Sequence, residues 1–386
     1  MKVLFTLATA ANYTQCINTL SNKPMDWVID CVLHTTGYLA LSPEQIATIK
    51  TLANTTYELS NKELYKTIIS HDYVIPVWSE GFYDIFYGFT DSAKLKTFSK
   101  SEIYKLALQC GISTPEVYEM PKKYPLIAKP LNGTGSLGVK KIHDSYEYDD
   151  FFIREHPKTS AMQTARKNGY APHDYFDLGR GYQIEEYLEG TVSTIVGCII
   201  NGKVYVGYTY DIESNIDEYL TTTKASLPSK NHLMLEDFAD KIQNLLRMMD
   251  VDNTPFIADV VVNNKTLYLI DFGLRFGGNE LTYQVCNSWM FDVIDAIKKH
   301  KAPGRLLLNK SYVFQVLPFQ KGIITNFTID SSLADKFQEP SSREFYKCKN
   351  LHTMIPRGYV IVSGDSLDSA EMKLKSILNT FKVNYE

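Results

Sequence analysis

Residues 124–139 are the part of the sequence that most limits what the chain can fold into. A short apolar segment, Pro125-Leu-Ile-Ala-Lys129, ends in a lysine, and a glycine-rich loop then runs into a second strand-like segment. The loop alternates glycines with hydroxyl residues, namely Gly133, Thr134, Gly135, Ser136 and Gly138. Glycines let backbone N–H groups approach an anion closely, and Lys129 would lie beside that anion as a point charge. The pattern predicts a phosphate-binding loop between two strands, but a hairpin turn that requires glycine explains it equally well.

The composition is that of an ordinary globular protein. Of the 386 residues, 44% are hydrophobic and 22% are charged, and the formal net charge is −4. A basic surface for nucleic acid is therefore not expected. The six cysteines lie far apart and form no C-x-x-C pair, which favours reduced thiols in the cytosol over a zinc site. We expect a cytoplasmic protein of two or three domains.

The start of the chain has some features of a signal peptide, but a buried strand explains it better. Lys2 precedes an apolar segment that Thr6 and Thr9 interrupt, and this segment is short for a signal sequence. No later segment approaches the ~18 apolar residues of a membrane span. We therefore expect no contact with a membrane.

Strand and helix patterns alternate before residue 90. Apolar segments at 3–7, 27–33 and 73–77 are typical of buried strands, and 43–54 and 61–70 of helices with N-caps at Ser42 and Ser60. Strands separated by helices indicate a parallel sheet.

A predicted hairpin carries two aspartates. Its strands, 256–262 and 266–272, are joined by three residues, and Asp259 and Asp271 lie among apolar neighbours. If this loop keeps an even register, both carboxylates lie on one face, about 5–8 Å apart. Two such carboxylates repel each other unless a cation lies between them, and hard oxygen ligands suit Mg²⁺. Alternatively, one carboxylate caps a turn or pairs with Arg275.

The segment after this hairpin is suited to bind an anion. Arg275 supplies a planar, permanently charged fork for carboxylate or phosphate. Gly277 and Gly278 allow a tight turn that directs the N–H groups of the next helix at an anion. Asn279 is equally well explained as the N-cap of that helix.

A third segment, residues 183–190, has the sequence Gln-Ile-Glu-Glu-Tyr-Leu-Glu-Gly. A strand that ends here could offer a backbone donor and acceptor to an adenine ring, with Tyr187 and Leu188 on either side. An acidic surface strand fits the same residues equally well.

In this order the segments resemble the ATP-grasp superfamily, and the resemblance covers nearly the whole chain. Residues 98–101, ahead of a predicted helix, look like the first nucleotide-binding lysine segment, with Lys100 as the ligand. Residues 125–129 look like the second lysine strand. Residues 358–364 and the helix after them are similar to the carboxy-terminal part of biotin-carboxylase-like members.

The resemblance implies ATP and Mg²⁺ as cofactors. The implied nucleotide-binding residues are Lys100, Lys129, Gly133, Thr134, Gly135, Ser136, Gly138, Glu185, Glu186, Tyr187, Leu188 and Glu189. Asp259 and Asp271 are the implied magnesium ligands, and Arg275 and Lys129 the implied catalytic residues.

The implied fold is α/β (α+β), an ATP-grasp fold in three parts. Residues 1–95 would form a Rossmann-like domain, and 96–190 a small subdomain with the phosphate loop and adenine hinge. Residues 191–386 would hold the metal site and substrate pocket. Two positions depart from the family pattern. Gly273 stands where the family usually has an asparagine that binds the metal, and Val192 stands where it tends to have an acidic residue that binds the ribose hydroxyls.

The resemblance also implies a carboxylate–amine ligase similar to the L-amino-acid ligases, which acts on a small-molecule carboxylate and amine. A homodimer is compatible with it. The alternatives are an ATP-grasp kinase or carboxylase, or an ATP-binding regulatory protein without turnover. No general base is evident; His173 is a candidate, although a solvated loop histidine explains it as well.

Overall fold

The computed structural model describes residues 1–8, 13–33, 35, 41–58, 70–75, 99–131, 139–154, 182–215, 221–276, 281, 285–320, 322–340 and 358–386. Helices and strands alternate through these residues, and the strands form four sheets. The predicted α/β class is confirmed.

The amino-terminal sheet is parallel, as the alternating pattern predicts. Its strands are β1 (Lys2–Ala8), β2 (Val28–Leu33), β3 (Thr56–Glu58) and β4 (Tyr73–Ile75), in the order β3-β2-β1-β4. Helices α1 (Tyr13–Ser21) and α2 (Pro43–Leu52) belong to this part of the chain. The predicted N-cap Ser42 is confirmed, since its side chain accepts a hydrogen bond from the Gln45 amide. The other predicted cap, Ser60, lies outside the described residues.

A small antiparallel sheet comes next. Helix α3 (Lys100–Gln109) precedes it, and helix α4 (Ser145–Asp149) continues into a π turn at Asp150–Arg154. The strands are β5 (Val117–Tyr118), β6 (Leu126–Pro130), β7 (Lys140–Ile142) and β8 (Tyr182–Glu186), in the order β5-β8-β6-β7.

The largest sheet is antiparallel and has eight strands. The elements of this part of the chain are β9 (Thr191–Ile200), β10 (Lys203–Asn215), β11 (Thr221–Leu227), α5 (His232–Asp237), α6 (Ala239–Met248), β12 (Thr254–Asn263), β13 (Thr266–Gly273), α7 (Asn287–Lys299), β14 (Ser311–Val316), β15 (Ile324–Thr328), β16 (Lys336–Gln338), β17 (Tyr359–Gly364), α8 (Leu367–Asn379) and β18 (Lys382–Tyr385). The strands of the large sheet lie in the order β13-β12-β9-β10-β11-β14-β17-β16, and β15 and β18 pair separately.

The large sheet is covered on both faces. On one face, Val196 shares a core with Phe5 of the amino-terminal sheet. On the other, Phe256 packs in a core with Ala107 of α3 and Leu245 of α6. Polar side chains within such a sheet need partners, because an unpaired buried polar group is costly.

Each of the three larger sheets is built from strands of one predicted part of the chain, 1–95, 96–190 or 191–386. The division at these boundaries stays a prediction. No helix in the described part of the chain is both long and apolar enough to cross a membrane.

Candidate active site

A cavity of about 480 Å³ is lined by residues of both the small and the large sheet. Its volume falls in the range of small-molecule sites. Eight residues predicted from the sequence to bind nucleotide or metal line it, namely Lys100, Lys129, Glu185, Glu186, Tyr187, Leu188, Asp259 and Asp271. The fold thus brings together side chains from distant parts of the sequence.

Lys129 is buried in the cavity wall, where its ammonium group has several partners. It lies on β6, and its side chain is only 6% exposed. The ammonium lies 2.7 Å from Glu185 Oε1 and donates hydrogen bonds to the Tyr104 hydroxyl at 2.6 Å and the Ile270 carbonyl at 2.8 Å. Burial lowers the pKa of Lys129, whereas the Glu185 carboxylate acts in the opposite direction. Lys129 therefore has a structural partner that the sequence did not indicate.

The hairpin that carries the aspartates has a tighter turn than expected. Asn263 pairs directly with Thr266, so the connection has two residues rather than three. These two, Asn264 and Lys265, have φ values of 46° and 66°. Positive φ at both central residues is the signature of a type I′ turn, whose twist matches that of the strands.

A one-residue bulge then brings the two carboxylates together. Without it, the two-residue turn would place Asp259 opposite Ile270. The register shifts at this point, so that Asp259 pairs with Asp271. Directly opposed side chains share a face, with Cβ atoms about 5 Å apart. The predicted pairing is present, but through a different register from the one expected.

The surroundings shift the pKa values of the two aspartates in opposite directions. Burial, followed by the charge of Asp271, raises the pKa of Asp259 to about 6. Burial also acts to raise the pKa of Asp271, but the nearby Lys100 ammonium outweighs it and the pKa lies below its usual value. Nearby positive charge therefore compensates the Asp259 carboxylate less than the Asp271 carboxylate.

Lys100 lies at the start of α3, where the sequence placed it. Ser99 caps this helix and forms a capping box with Glu102. The Lys100 amide donates a hydrogen bond to the Leu131 carbonyl at 3.2 Å, and its ammonium contacts Asp271 Oδ1. This contact joins the helix terminus to the aspartate pair.

Arg275 follows β13 and is partly buried. Its charge acts to lower the pKa of both Asp259 and Asp271, and its Nη1 donates to the Phe276 carbonyl at 3.3 Å. It does not belong to the residues that line the cavity. Its catalytic role stays a prediction.

The predicted adenine hinge divides into parts with different environments. The Glu186 carboxylate contacts Lys123 and the Glu116 amide. Tyr187 and Leu188 line the cavity, and the Lys141 ammonium lies 3.8 Å from the centroid of the Tyr187 ring. Glu189 is exposed and is not among the lining residues.

The residues of the phosphate loop, Gly133, Thr134, Gly135, Ser136 and Gly138, lie outside the described residues, as do Gly277, Gly278, Asn279 and His173. Strands β6 and β7 on either side of this loop pair antiparallel. The predicted strand–loop–strand context is therefore present, and the role of the loop stays a prediction.

Lys230 and Asp211 are among the cavity residues that the sequence analysis did not identify. Lys230 lines the cavity, and its amide donates to Asp211 Oδ2 at 2.9 Å. Asp211 also accepts hydrogen bonds from the Ser193 and Ser229 hydroxyls. An aspartate within a segment of strand-forming residues was the available signal, the same one that drew attention to Asp259 and Asp271. No local pattern pointed to Lys230.

The donor set at the aspartate pair fits Mg²⁺. Its oxygens belong to two opposed carboxylates, and Asp259 Oδ1 accepts a 2.6 Å hydrogen bond from Thr194. In the part of the chain that the structure describes, no group of three or more His, Cys, Asp or Glu residues could hold a metal. Mg²⁺ commonly binds through one or two carboxylates together with water and substrate phosphates, so two ligands suffice when a nucleotide is bound.

Comparison with known proteins identifies the fold. Residues 122–283 match the family model of the ATP-grasp domain. The chain is similar in structure to L-amino acid ligase from Bacillus licheniformis, with a TM-score of 0.71 and 13% identity over 100% of this chain and 99% of that one. No curated protein matches the sequence.

Two further structures support the same assignment. Phosphoribosylglycinamide synthetase from Anaerococcus prevotii has a TM-score of 0.64 and 13% identity, with 100% of both chains covered. The biotin carboxylase domain dimer of the Hydrogenobacter thermophilus 2-oxoglutarate carboxylase, in complex with MgADP, has a TM-score of 0.64 and 12% identity over 100% of this chain and 90% of that one. The chain has the ATP-grasp fold, and its resemblance to the ATP-grasp superfamily is confirmed.

Proposed function

We propose that this chain is an ATP-dependent carboxylate–amine ligase that forms an amide or peptide bond through an acylphosphate and releases ADP and phosphate. The observation that carries the proposal is the opposed pair Asp259 and Asp271, which lines one cavity with Lys100 and Lys129. Two carboxylates and two ammonium groups in a single cavity match the charges of a magnesium–triphosphate complex.

In the first step, an oxygen of the substrate carboxylate attacks the γ-phosphorus of ATP, and the bond to the β–γ bridging oxygen breaks. Lys100 and Lys129 would neutralise charge on the phosphate oxygens, and Asp259 and Asp271 would hold Mg²⁺. When bound, Mg²⁺ would offset the negative charge of the phosphates. The loop at 133–138 would cover the phosphates and exclude water.

In the second step, the amine attacks the acyl carbon, the bond to the phosphate oxygen breaks, and the nitrogen loses a proton. Arg275 would bind the substrate carboxylate in the first step and stabilise the charge that develops on the acyl oxygen in the second. The substrates would be small molecules. A homodimer and a cytoplasmic location belong to the same proposal.

A screen of amino-acid pairs tests the proposal, with ADP, phosphate and product mass measured together. A ligase should release ADP and phosphate only when a carboxylate and an amine are both present, and hydroxylamine should trap the acyl group as a hydroxamate. The Asp271→Asn variant is the control, since it should lose turnover.

The other outcomes point elsewhere. ADP release without phosphate, alongside a phosphorylated product, would indicate a kinase, and a requirement for bicarbonate would indicate a carboxylase. Tight ATP binding without hydrolysis in any mixture would indicate a regulatory protein.

A further inference from the structure

A row of four polar side chains crosses the large sheet at the level of the metal pair. Tyr210 of β10 lies directly opposite Thr194 of β9, Thr194 opposite Asp259 of β12, and Asp259 opposite Asp271 of β13. Directly opposed residues of antiparallel strands share a face. Two hydroxyls and two carboxylates therefore form one continuous polar row.

The two hydroxyl residues of this row are buried. Thr194 and Tyr210 are 0% and 3% exposed. Thr194 Oγ1 donates to Asp259 Oδ1 at 2.6 Å. A threonine hydroxyl carries one proton, so the proton of Thr194 is committed to Asp259.

The row leaves one oxygen of Asp259 available. Oδ1 is occupied by Thr194, and Oδ2 accepts no hydrogen bond from the residues that the structure describes. We propose that Thr194 is a positioning residue that fixes the Asp259 carboxylate so that Oδ2 is presented to the divalent cation of the nucleotide complex. This inference rests on the nucleotide and metal part of the proposed function.

The small number of ligands makes this positioning important. Mg²⁺ requires near-ideal octahedral geometry, and among the described residues no third His, Cys, Asp or Glu joins the aspartate pair. With two protein ligands, the orientation of each has a large share in the metal affinity. Outer partners of metal ligands typically contribute 10–100-fold to that affinity.

A purely structural role is the competing explanation, and the same strand offers a matched control. Ser193, next to Thr194 and 0% exposed, donates to the Asp211 carboxylate at 2.6 Å. Successive residues of a strand point to opposite faces. Asp211 accepts hydrogen bonds at Oδ1 from the Ser193 and Ser229 hydroxyls and at Oδ2 from the Lys230 amide, so both of its oxygens are already engaged within the protein.

The test is the affinity for ADP with and without Mg²⁺, measured by isothermal titration calorimetry on the full chain. In the wild type, Mg²⁺ should tighten ADP binding. Thr194→Val should reduce this Mg²⁺-dependent increase in ADP affinity about tenfold or more, while the affinity for ADP alone stays the same. Thr194→Ser should restore the increase, and Ser193→Ala should leave it at the wild-type value.

Several results would overturn the inference. The hydroxyl would have a structural role only if Mg²⁺ increased the ADP affinity of Thr194→Val as much as that of the wild type. The same conclusion would follow if Ser193→Ala lost as much of this increase as Thr194→Val, or if Thr194→Ser lost as much as the valine variant. If Thr194→Val does not fold, Thr194→Ala decides, with a comparable loss expected and no loss contradicting the inference. If Mg²⁺ did not change the ADP affinity of the wild-type protein, the proposed metal site would be refuted, and the inference with it.

Discussion

Replacing Lys129 with methionine should destabilise the protein as well as remove a positive charge from the cavity. The Lys129 and Glu185 side chains are 6% and 4% exposed, and the ammonium and carboxylate groups lie 2.7 Å apart. Methionine keeps a long, flexible side chain at position 129 but leaves the Glu185 carboxylate buried without its cation. The remaining hydrogen bond that the structure gives this carboxylate is donated by Gln183 at 2.8 Å.

The expected loss is large. Removing one partner of a buried ion pair typically costs about 3–5 kcal/mol, because the other charge remains buried. Glu185→Gln should also destabilise, since it leaves the Lys129 ammonium without its counter-ion. The double variant Lys129→Met/Glu185→Gln contains no buried charge at this position and should lose less than the sum of the two single losses.

Urea unfolding of the unliganded chain, followed by circular dichroism, measures these differences. The matched control is Lys123→Met, because Lys123 is 60% exposed and pairs with Glu186 at 3.0 Å near the same strand. Exposed pairs contribute little, so its unfolding midpoint should barely move. A Lys129→Met midpoint equal to the wild type, or a double variant that loses the full sum of the single losses, would refute the reasoning.

The remaining predictions concern the charges around the aspartate pair. Because the pKa of Asp259 is raised to about 6, a proton competes with the cation below that pH. The Mg²⁺ affinity, measured by calorimetry with ADP, should therefore fall about tenfold from pH 7 to pH 5. An unchanged Mg²⁺ affinity would contradict this prediction. The same raised pKa means that the folded chain holds a proton that the unfolded chain releases, so this group should lower the stability of the unliganded protein as pH rises from about 4 to 6. Lys100→Met should strengthen Mg²⁺ binding without nucleotide, since its ammonium contacts Asp271, whereas weaker binding would indicate another role. Arg275→Lys should lose hydroxamate formation but keep ADP affinity, and full activity would remove Arg275 from the proposed mechanism.

Much of the fold could be predicted because the patterns that indicate it are local. Apolar segments separated by amphipathic ones predicted the parallel amino-terminal sheet, and Ser42 marked the start of a helix through its own cap. The charged residues of the site were recognisable for a similar reason. Lys129, Asp259 and Asp271 each interrupt an apolar strand, where charged side chains are uncommon.

Pairing between distant side chains was not accessible in this way. Nothing near Lys129 in the sequence indicates Tyr104 or the Ile270 carbonyl as its partners, because these contacts depend on how α3 and β13 pack against the small sheet. Lys230 lines the cavity for a comparable reason, since its amide is bound by the carboxylate of Asp211 on the distant strand β10.

The aspartate pair separates what the sequence could predict from what required the tertiary structure. The sequence alone determined that two carboxylates lie on consecutive strands. Simple alternation, however, would place Asp271 on the same face as Leu269, inside the apolar core. The bulge reverses this, so that Phe272 joins Leu269 in that core and Asp271 turns to the face of Asp259. Burial of these side chains selects the shifted register, and a one-residue shift of that kind arises only when the strand packs against its neighbours.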